Sequence, residues 1–329
     1  MSAMWKRLPM PMPMPILMPL LMAMLTAFCL TACAGRQASS GSSAAAIEVA
    51  AGVYVLRGAP GEASPDNLGR VGNAGFIVGP AGVLAIDSGT SYRQGQALLA
   101  AVAEVTDRPV RLLLLTHTRQ EFLFGAAAFQ QRGIPVAMHG KAAGLMAARC
   151  EGCLKTLRRM LGEDEMRGTI VVKPDRQFED AHSLALIGRP VRVLYFGHSA
   201  GPGDIAVFDE DTGTLFAGGL LDQGRVSDVQ DSDLAGWTTA LAALHALPVR
   251  RIVPGHGPVA GAGLIGTVES YLAQLVAGAQ KLLDAGAALS EVPDGLQLGE
   301  FKDWDQYDTI HRRNAAVVFL RLEQQRLTR

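Results

Sequence analysis

The chain has 329 residues, of which 49% are hydrophobic and 19% charged, and a formal net charge of −1. That composition supplies enough apolar material for a substantial core and excludes a disordered or collagen-like chain. The 30 basic and 31 acidic residues are interspersed rather than clustered, which leaves no electrostatic footprint for nucleic acid.

Residues 1–32 stand apart from the rest. Lys6 and Arg7 precede an apolar, Met- and Pro-rich run, and Leu30-Thr31-Ala32-Cys33 fits the pattern in which a bacterial lipoprotein signal peptide is cut just before a cysteine. Prolines 9, 11, 13, 15 and 19 weigh against the alternative, an uncleaved helix spanning the membrane. Cys33 is therefore expected to carry the lipid anchor, and the Ser-, Gly- and Ala-rich residues 34–46 to be a flexible tether. Ala34, rather than aspartate, beside the anchor points to the periplasmic face of the outer membrane. Export leaves Cys150 and Cys153 as a pair in an oxidising compartment, and a local disulfide is expected between them.

From Ile47 onward no linker interrupts the chain, so residues 47–329 are expected to form one domain. Strands are predicted at Ile47–Val49, Gly52–Leu56, Gly75–Val78 and Val83–Ile86, separated by Gly/Pro turns. Leu98, Leu99, Val102 and Val105 give Tyr92–Val105 helical spacing. Val110–Leu115 is an apolar strand that stops at Thr116-His117, followed by a helix over Phe122–Arg132, a strand over Ile134–Met138 and a helix over Lys141–Leu161. Strands are then predicted at Thr169–Val172, Leu184–Ile187, Val191–Phe196, Ile205–Phe208, Thr214–Ala217 and Arg251–Val253, with a helix over Asp233–Leu247. Outer helices follow at Leu264–Ala285 and Thr309–Arg326. Two runs of strands, each followed by helices, predict two sheets packed face to face with helices outside, an α/β fold.

Three histidines close apolar runs: His117, His198 in Gly197-His198-Ser199, and His256 in Pro254-Gly255-His256-Gly257. Side chains just beyond such strand ends point into the crevice where α/β proteins bind ligands. His139, His182, His245 and His311 lack that setting and read as solvated or capping residues. With Asp87-Ser88-Gly89 upstream, Asp204 six residues after His198, and Thr214-Leu215-Phe216-Ala217-Gly218, the ordered motifs resemble those of the metallo-β-lactamase superfamily. Cys150 to Thr169 is similar to its quinoprotein relay system branch.

The resemblance implies a four-layer αββα sandwich with its site at the sheet edges, and zinc-dependent hydrolysis in active members. Neutral imidazoles and carboxylates hold Zn²⁺, which acidifies a bound water into a nucleophile. The match is partial. His117, His198 and His256 fall on ligand positions, whereas Arg119 replaces the second histidine, Glu121 an aspartate, Phe122 a histidine and Gly219 the bridging aspartate. Arg119 is permanently charged and would sit beside any cation. At most one zinc is implied, held by His117, His198, His256 and Glu121, with Glu121 or Asp204 as the catalytic carboxylate. Arg119, Phe122, Gly219, Asp87 and Asp222 are expected to line or support the pocket. Two functions follow: a hydrolase with a reduced metal site, or an accessory protein of a periplasmic quinoprotein system that binds an anionic small molecule through Arg119. An inward-pointing Arg119 favours the second.

Overall fold

The computed structural model describes residues 45–328. Strands β1 (Ile47–Ala50), β2 (Val53–Leu56), β3 (Ala74–Gly79), β4 (Gly82–Ile86), β5 (Val110–Leu115), β6 (Val136–His139) and β7 (Arg176–Phe178) lie in chain order in one sheet. The pairs from β1 to β4 are antiparallel, as short turns allow, and those from β4 to β7 are parallel, each needing a crossover. Strands β8 (His182–Leu184), β9 (Val191–Tyr195), β10 (Ile205–Asp209), β11 (Thr214–Phe216) and β12 (Arg251–Val253) form a second sheet in the order β12-β11-β10-β9-β8. Only β11 and β12 in it are parallel.

Helices α1 (Tyr92–Val105), α2 (Gln120–Leu123), α3 (Ala126–Gln130) and α4 (Gly140–Glu165) follow strands of the first sheet. Helices α5 (Leu234–His245), α6 (Gly263–Asp284), α7 (Val292–Gly295) and α8 (Arg312–Leu327) belong to the second half. Apolar side chains segregate into three cores, which is what four layers require. One lies between the sheets, one between the first sheet and α1–α4, and one between the second sheet and α5–α8. The period of two along β5 divides it between two of them: Leu112 and Leu114 face the other sheet, while Leu113 and Leu115 face the helices. A strand buried on both faces must be apolar at every position, hence the continuous leucine run, each leucine contributing about 1.5–3 kcal/mol.

Three predicted elements differ. The strand predicted over Leu184–Ile187 lies earlier, at His182–Leu184. The helix predicted over Phe122–Arg132 is split into α2 and α3 around Gly125, where chain segments meet backbone to backbone: a Cβ on Gly125 would lie 1.9 Å from the Ser88 carbonyl oxygen. Residues Thr169–Val172 form no strand, their burial running buried, exposed, half-buried, buried, and Arg176–Phe178 extends the sheet instead. The apolar residues there serve the helix-side core, which Val172 joins with Val171 packed against it.

The strand ends that matter gather at one edge. Asp87 follows β4, Thr116-His117 follows β5, Gly218-Gly219 follows β11 and Pro254-Gly255-His256 follows β12, while Asp204 immediately precedes β10. The amide of Ile205 donates to the Thr116 carbonyl at 3.0 Å, tying the two sheets together at this edge.

Candidate functional site

The β5 end is held by a hydrogen-bonded relay. Asp87 adopts φ +56°, a left-handed conformation that aspartate tolerates better than most residues. Its carboxylate accepts from the Thr116 amide at 2.9 Å and from Thr116 Oγ1 at 2.8 Å. Burial pushes the Asp87 carboxyl up to about 7, so above that pH it accepts both bonds. Thr116 Oγ1, its proton committed, then accepts from His117 Nδ1 at 2.7 Å. This fixes the imidazole with its lone pair on Nε2. Among the described residues, Nε2 is buried and has no hydrogen-bond partner. Burial first, and the charge of Arg119 second, depress His117 to about 3, so it stays neutral.

The β12 end is saturated by comparison. His256 donates its backbone N–H and Nδ1 to Asp222 Oδ1 at 2.9 and 2.8 Å, and its Nε2 stands 3.2 Å from Glu121 Oε1. Burial works against all three charges, but mutual pairing outweighs it. Glu121 is held at about 2, Asp222 below the ordinary carboxylate range and His256 above the ordinary imidazole range. Phe122 is fully buried between the two histidines, its ring 4.3 Å from that of His117 and 5.2 Å from that of His256. Asn73 clamps the loop, donating to the carbonyls of Pro254 and Gly257, both at 2.9 Å.

Between these ends lies a cavity of about 410 Å³. Of the residues singled out in the sequence, His117, Arg119, Glu121 and Asp204 line it. Asp87, Asp222 and His256 stand behind that wall as supports, with Phe122 and Gly219. His198 is not brought in. It is exposed, and its Nε2 bonds the Asp231 carbonyl at 2.6 Å. The expected ligand set of His117, His198, His256 and Glu121 is therefore not assembled, because the loop after β9 turns the His198 ring outward.

Arg119 lines the cavity, but its partner is not Glu121. Its two terminal nitrogens bond the side chain and the carbonyl of Asp228 at 3.3 and 3.0 Å. Arg313 reaches the same Asp228 oxygen at 2.6 Å. Asp204 occupies the space beside Gly219: a Cβ there would meet Asp204 Oδ2 at 2.5 Å and His117 Cδ2 at 3.0 Å. Burial raises the Asp204 carboxyl to about 7, against the opposing pull of Arg119.

Several lining residues carry no sequence signal. Asp228, Arg225 and Arg313 lie in irregular or helical segments with no motif, and only the tertiary fold brings them to the cavity. Cys153 also lines it. Cys150 and Cys153 are free thiols rather than the expected disulfide. Both sit inside α4, where residues one turn apart hold their Cβ atoms about 5–6 Å apart, beyond the roughly 3.5–4.5 Å that a disulfide requires.

This constellation sits at the edge of a four-layer αββα sandwich. Residues 68–256 match the metallo-beta-lactamase superfamily, and the chain belongs to that superfamily. It is 26% identical over 113 residues to the metallo-beta-lactamase type 2 of Bacteroides fragilis, a match spanning 33% of this chain and 45% of that protein. It is 22% identical over 220 residues to the linear primary-alkylsulfatase of Pseudomonas sp. (strain ATCC 19151), spanning 56% of this chain and 42% of that enzyme. The chain thus spans less than half the length of these curated relatives. A metallo-beta-lactamase from Pontibacter korlensis shares the fold with a TM-score of 0.57 and 21% identity, over 69% of this chain and 98% of that one.

Zinc is the metal such a family implies, and a catalytic zinc needs three protein ligands around an open position. Among the described residues no group of three or more His, Cys, Asp or Glu side chains is placed to hold a metal. The reasons are local: His198 faces outward, Arg119 and Phe122 stand at ligand positions, and Gly219 offers no side chain. The single free nitrogen of His117 does not make a site. The residues present do not fit the metal.

Proposed function

We propose that this chain is an exported lipoprotein, anchored through Cys33, whose metallo-beta-lactamase domain has given up its metal set and serves as a small-molecule binding or accessory protein of a periplasmic oxidation system. Cys33 and its signal peptide lie outside the described residues. The observation that carries this reading is the fixed cation of Arg119 on the cavity wall, held by Asp228, where a zinc hydrolase places a ligand. A permanent positive charge there opposes a dication through short-range repulsion in a poorly solvated site.

The deciding measurement is zinc content of the purified full chain in detergent after zinc loading and dialysis. No retained zinc is the expected result; stoichiometric zinc that is lost in His117→Ala overturns the proposal. That second outcome would restore a one-zinc hydrolase, a reading favoured by the unpartnered His117 Nε2 and by Glu121 standing beside His256. It also requires His198 to leave the Asp231 carbonyl. For the anchor, mass spectrometry of the mature N-terminus should find a lipidated Cys33, and Cys33→Ser should release the protein from membranes.

A further inference from the structure

The cavity floor is unequal in its hydrogen-bonding groups. Its three arginines are each held by a carboxylate: Arg119 by the side chain and carbonyl of Asp228, Arg313 by the same carboxylate, and Arg225 by Asp305 and the Gly61 carbonyl. Two of its acceptors are not paired. His117 Nε2 is buried without a partner, and Asp204, 5% exposed, lines the cavity with no side-chain hydrogen bond among the described residues. A buried imidazole nitrogen left unpaired costs about 1–3 kcal/mol, so a ligand that donates to it recovers that cost.

We infer that the cavity floor binds the primary ammonium group of a small organic molecule, with His117 Nε2 and Asp204 as its two acceptors. This rests on the reading of the pocket as a ligand site without a resident metal, and it reverses the ligand charge suggested by Arg119 alone. Geometry supports it. The Asp204 carboxylate and the Cδ2 edge of His117 both stand within 3.0 Å of the point where a Cβ on Gly219 would sit. One ammonium nitrogen making two hydrogen bonds of about 2.9 Å bridges acceptors up to about 5.8 Å apart. Glycine at 219 is what lets the Asp204 carboxylate and the His117 ring come this close. The relay from Asp87 through Thr116 presents Nε2 as an acceptor, which an ammonium matches and a carboxylate does not. Arg119 tolerates a monovalent, hydrogen-bonding cation better than a divalent one, since repulsion scales with the charge product.

The test is calorimetric titration of the full chain in detergent micelles at pH 8, after chelator treatment, with n-butylammonium, n-butyrate and Zn²⁺ as separate probes. Saturable n-butylammonium binding, on the order of millimolar for so small a ligand, is expected, with no n-butyrate binding. Asp204→Asn should weaken the amine at least tenfold, and Arg119→Gln should strengthen it severalfold by removing the neighbouring cation. Butyrate binding in place of the amine, or amine binding unchanged in an Asp204→Asn protein of native circular dichroism, overturns the inference. If Asp204→Asn does not fold, Arg119→Gln decides alone, and unchanged or weaker amine binding overturns it. Stoichiometric zinc binding overturns both this inference and the proposed function. Absence of both amine and zinc binding overturns the inference only.

Discussion

At the β12 end of the pocket both nitrogens of His256 are engaged by carboxylates, whereas at the β5 end the Nε2 of His117, a residue of the cavity wall, is buried with no hydrogen-bond partner among the described residues. The same fold positions both histidines just past the end of a strand, so the sheet geometry does not explain the difference. What differs is which charged neighbours the loops bring. The β12 end receives Asp222 and Glu121 and forms a closed network. At the β5 end, Arg119 is drawn off to Asp228 and His198 to the Asp231 carbonyl, which leaves acceptors open. A closed network carries stability and an open one carries binding, and the two ends should therefore respond differently to substitution.

The largest effect is expected at the closed end. Asp222→Ala removes the acceptor for two His256 donors and for Ser227 Oγ, and leaves the buried His256 ring facing Glu121 alone. Breaking one member of a buried charge network costs about 3–5 kcal/mol. Urea unfolding at pH 7 measures it, and a loss under about 1 kcal/mol would mean that the network holds geometry but not stability.

The two ends should also have opposite pH slopes. Glu121 has its folded pKa depressed to about 2, below the unfolded value near 4.3. Its stabilisation is present above about pH 4.3 and is lost as pH falls towards 2. Asp204 is raised to about 7, above an unfolded value near 3.9. Its favourable protonated state is present in full below about pH 3.9 and is lost as pH rises through 7. Between those values the unfolded chain has released the proton and the folded chain has not, so stability falls with pH. Asp204→Asn, which does not titrate, should remove that decline, a gain at pH 8 relative to pH 4 of at most roughly 4 kcal/mol. Denaturant midpoints across pH 4–8 with the same slope in both proteins would refute the assignment.

A smaller effect marks which end a ligand reaches. The hydrogen bond from Cys150 lowers the Cys153 thiol to about 7, while the shared proton and burial raise Cys150. Cys153 lines the cavity and Cys150 is buried. Iodoacetamide at pH 8 should label Cys153 at least tenfold faster than Cys150, as read by peptide mass spectrometry, and n-butylammonium should slow that labelling. Equal rates at the two sulfurs would place both outside the cavity wall.

Legibility in the sequence followed the same division. The frame could be read because burial dictates it: Leu112–Leu115 had to be apolar on both faces. His117 and Glu121 follow β5 and Asp204 immediately precedes β10, and all three line the cavity. His198 was misplaced because spacing in the chain says nothing about which way a loop turns a ring. Asp228, which decides where Arg119 goes, lies 109 residues away and carries no local pattern, and neither do Asn73 or Arg313. Cys150 and Cys153 are free thiols because residues one helical turn apart share a face but hold their Cβ atoms farther apart than a disulfide spans.

His198 supplies the smallest effect and the cleanest discrimination between the ends. In the structure its ring is exposed and its one hydrogen bond is to the Asp231 carbonyl, so His198→Ala removes an interaction that water can replace. Surface changes of this kind usually lie within about 0.5 kcal/mol, and urea unfolding of His198→Ala should stay inside that range. Amine binding at the floor should also be unchanged, because Asp204 and His117 do not depend on the outward ring. A variant that loses more than about 2 kcal/mol, or loses ligand binding, would mean that His198 turns inward in solution. The β5 end would then close around it as the β12 end closes around His256, and the contrast between the two ends would disappear.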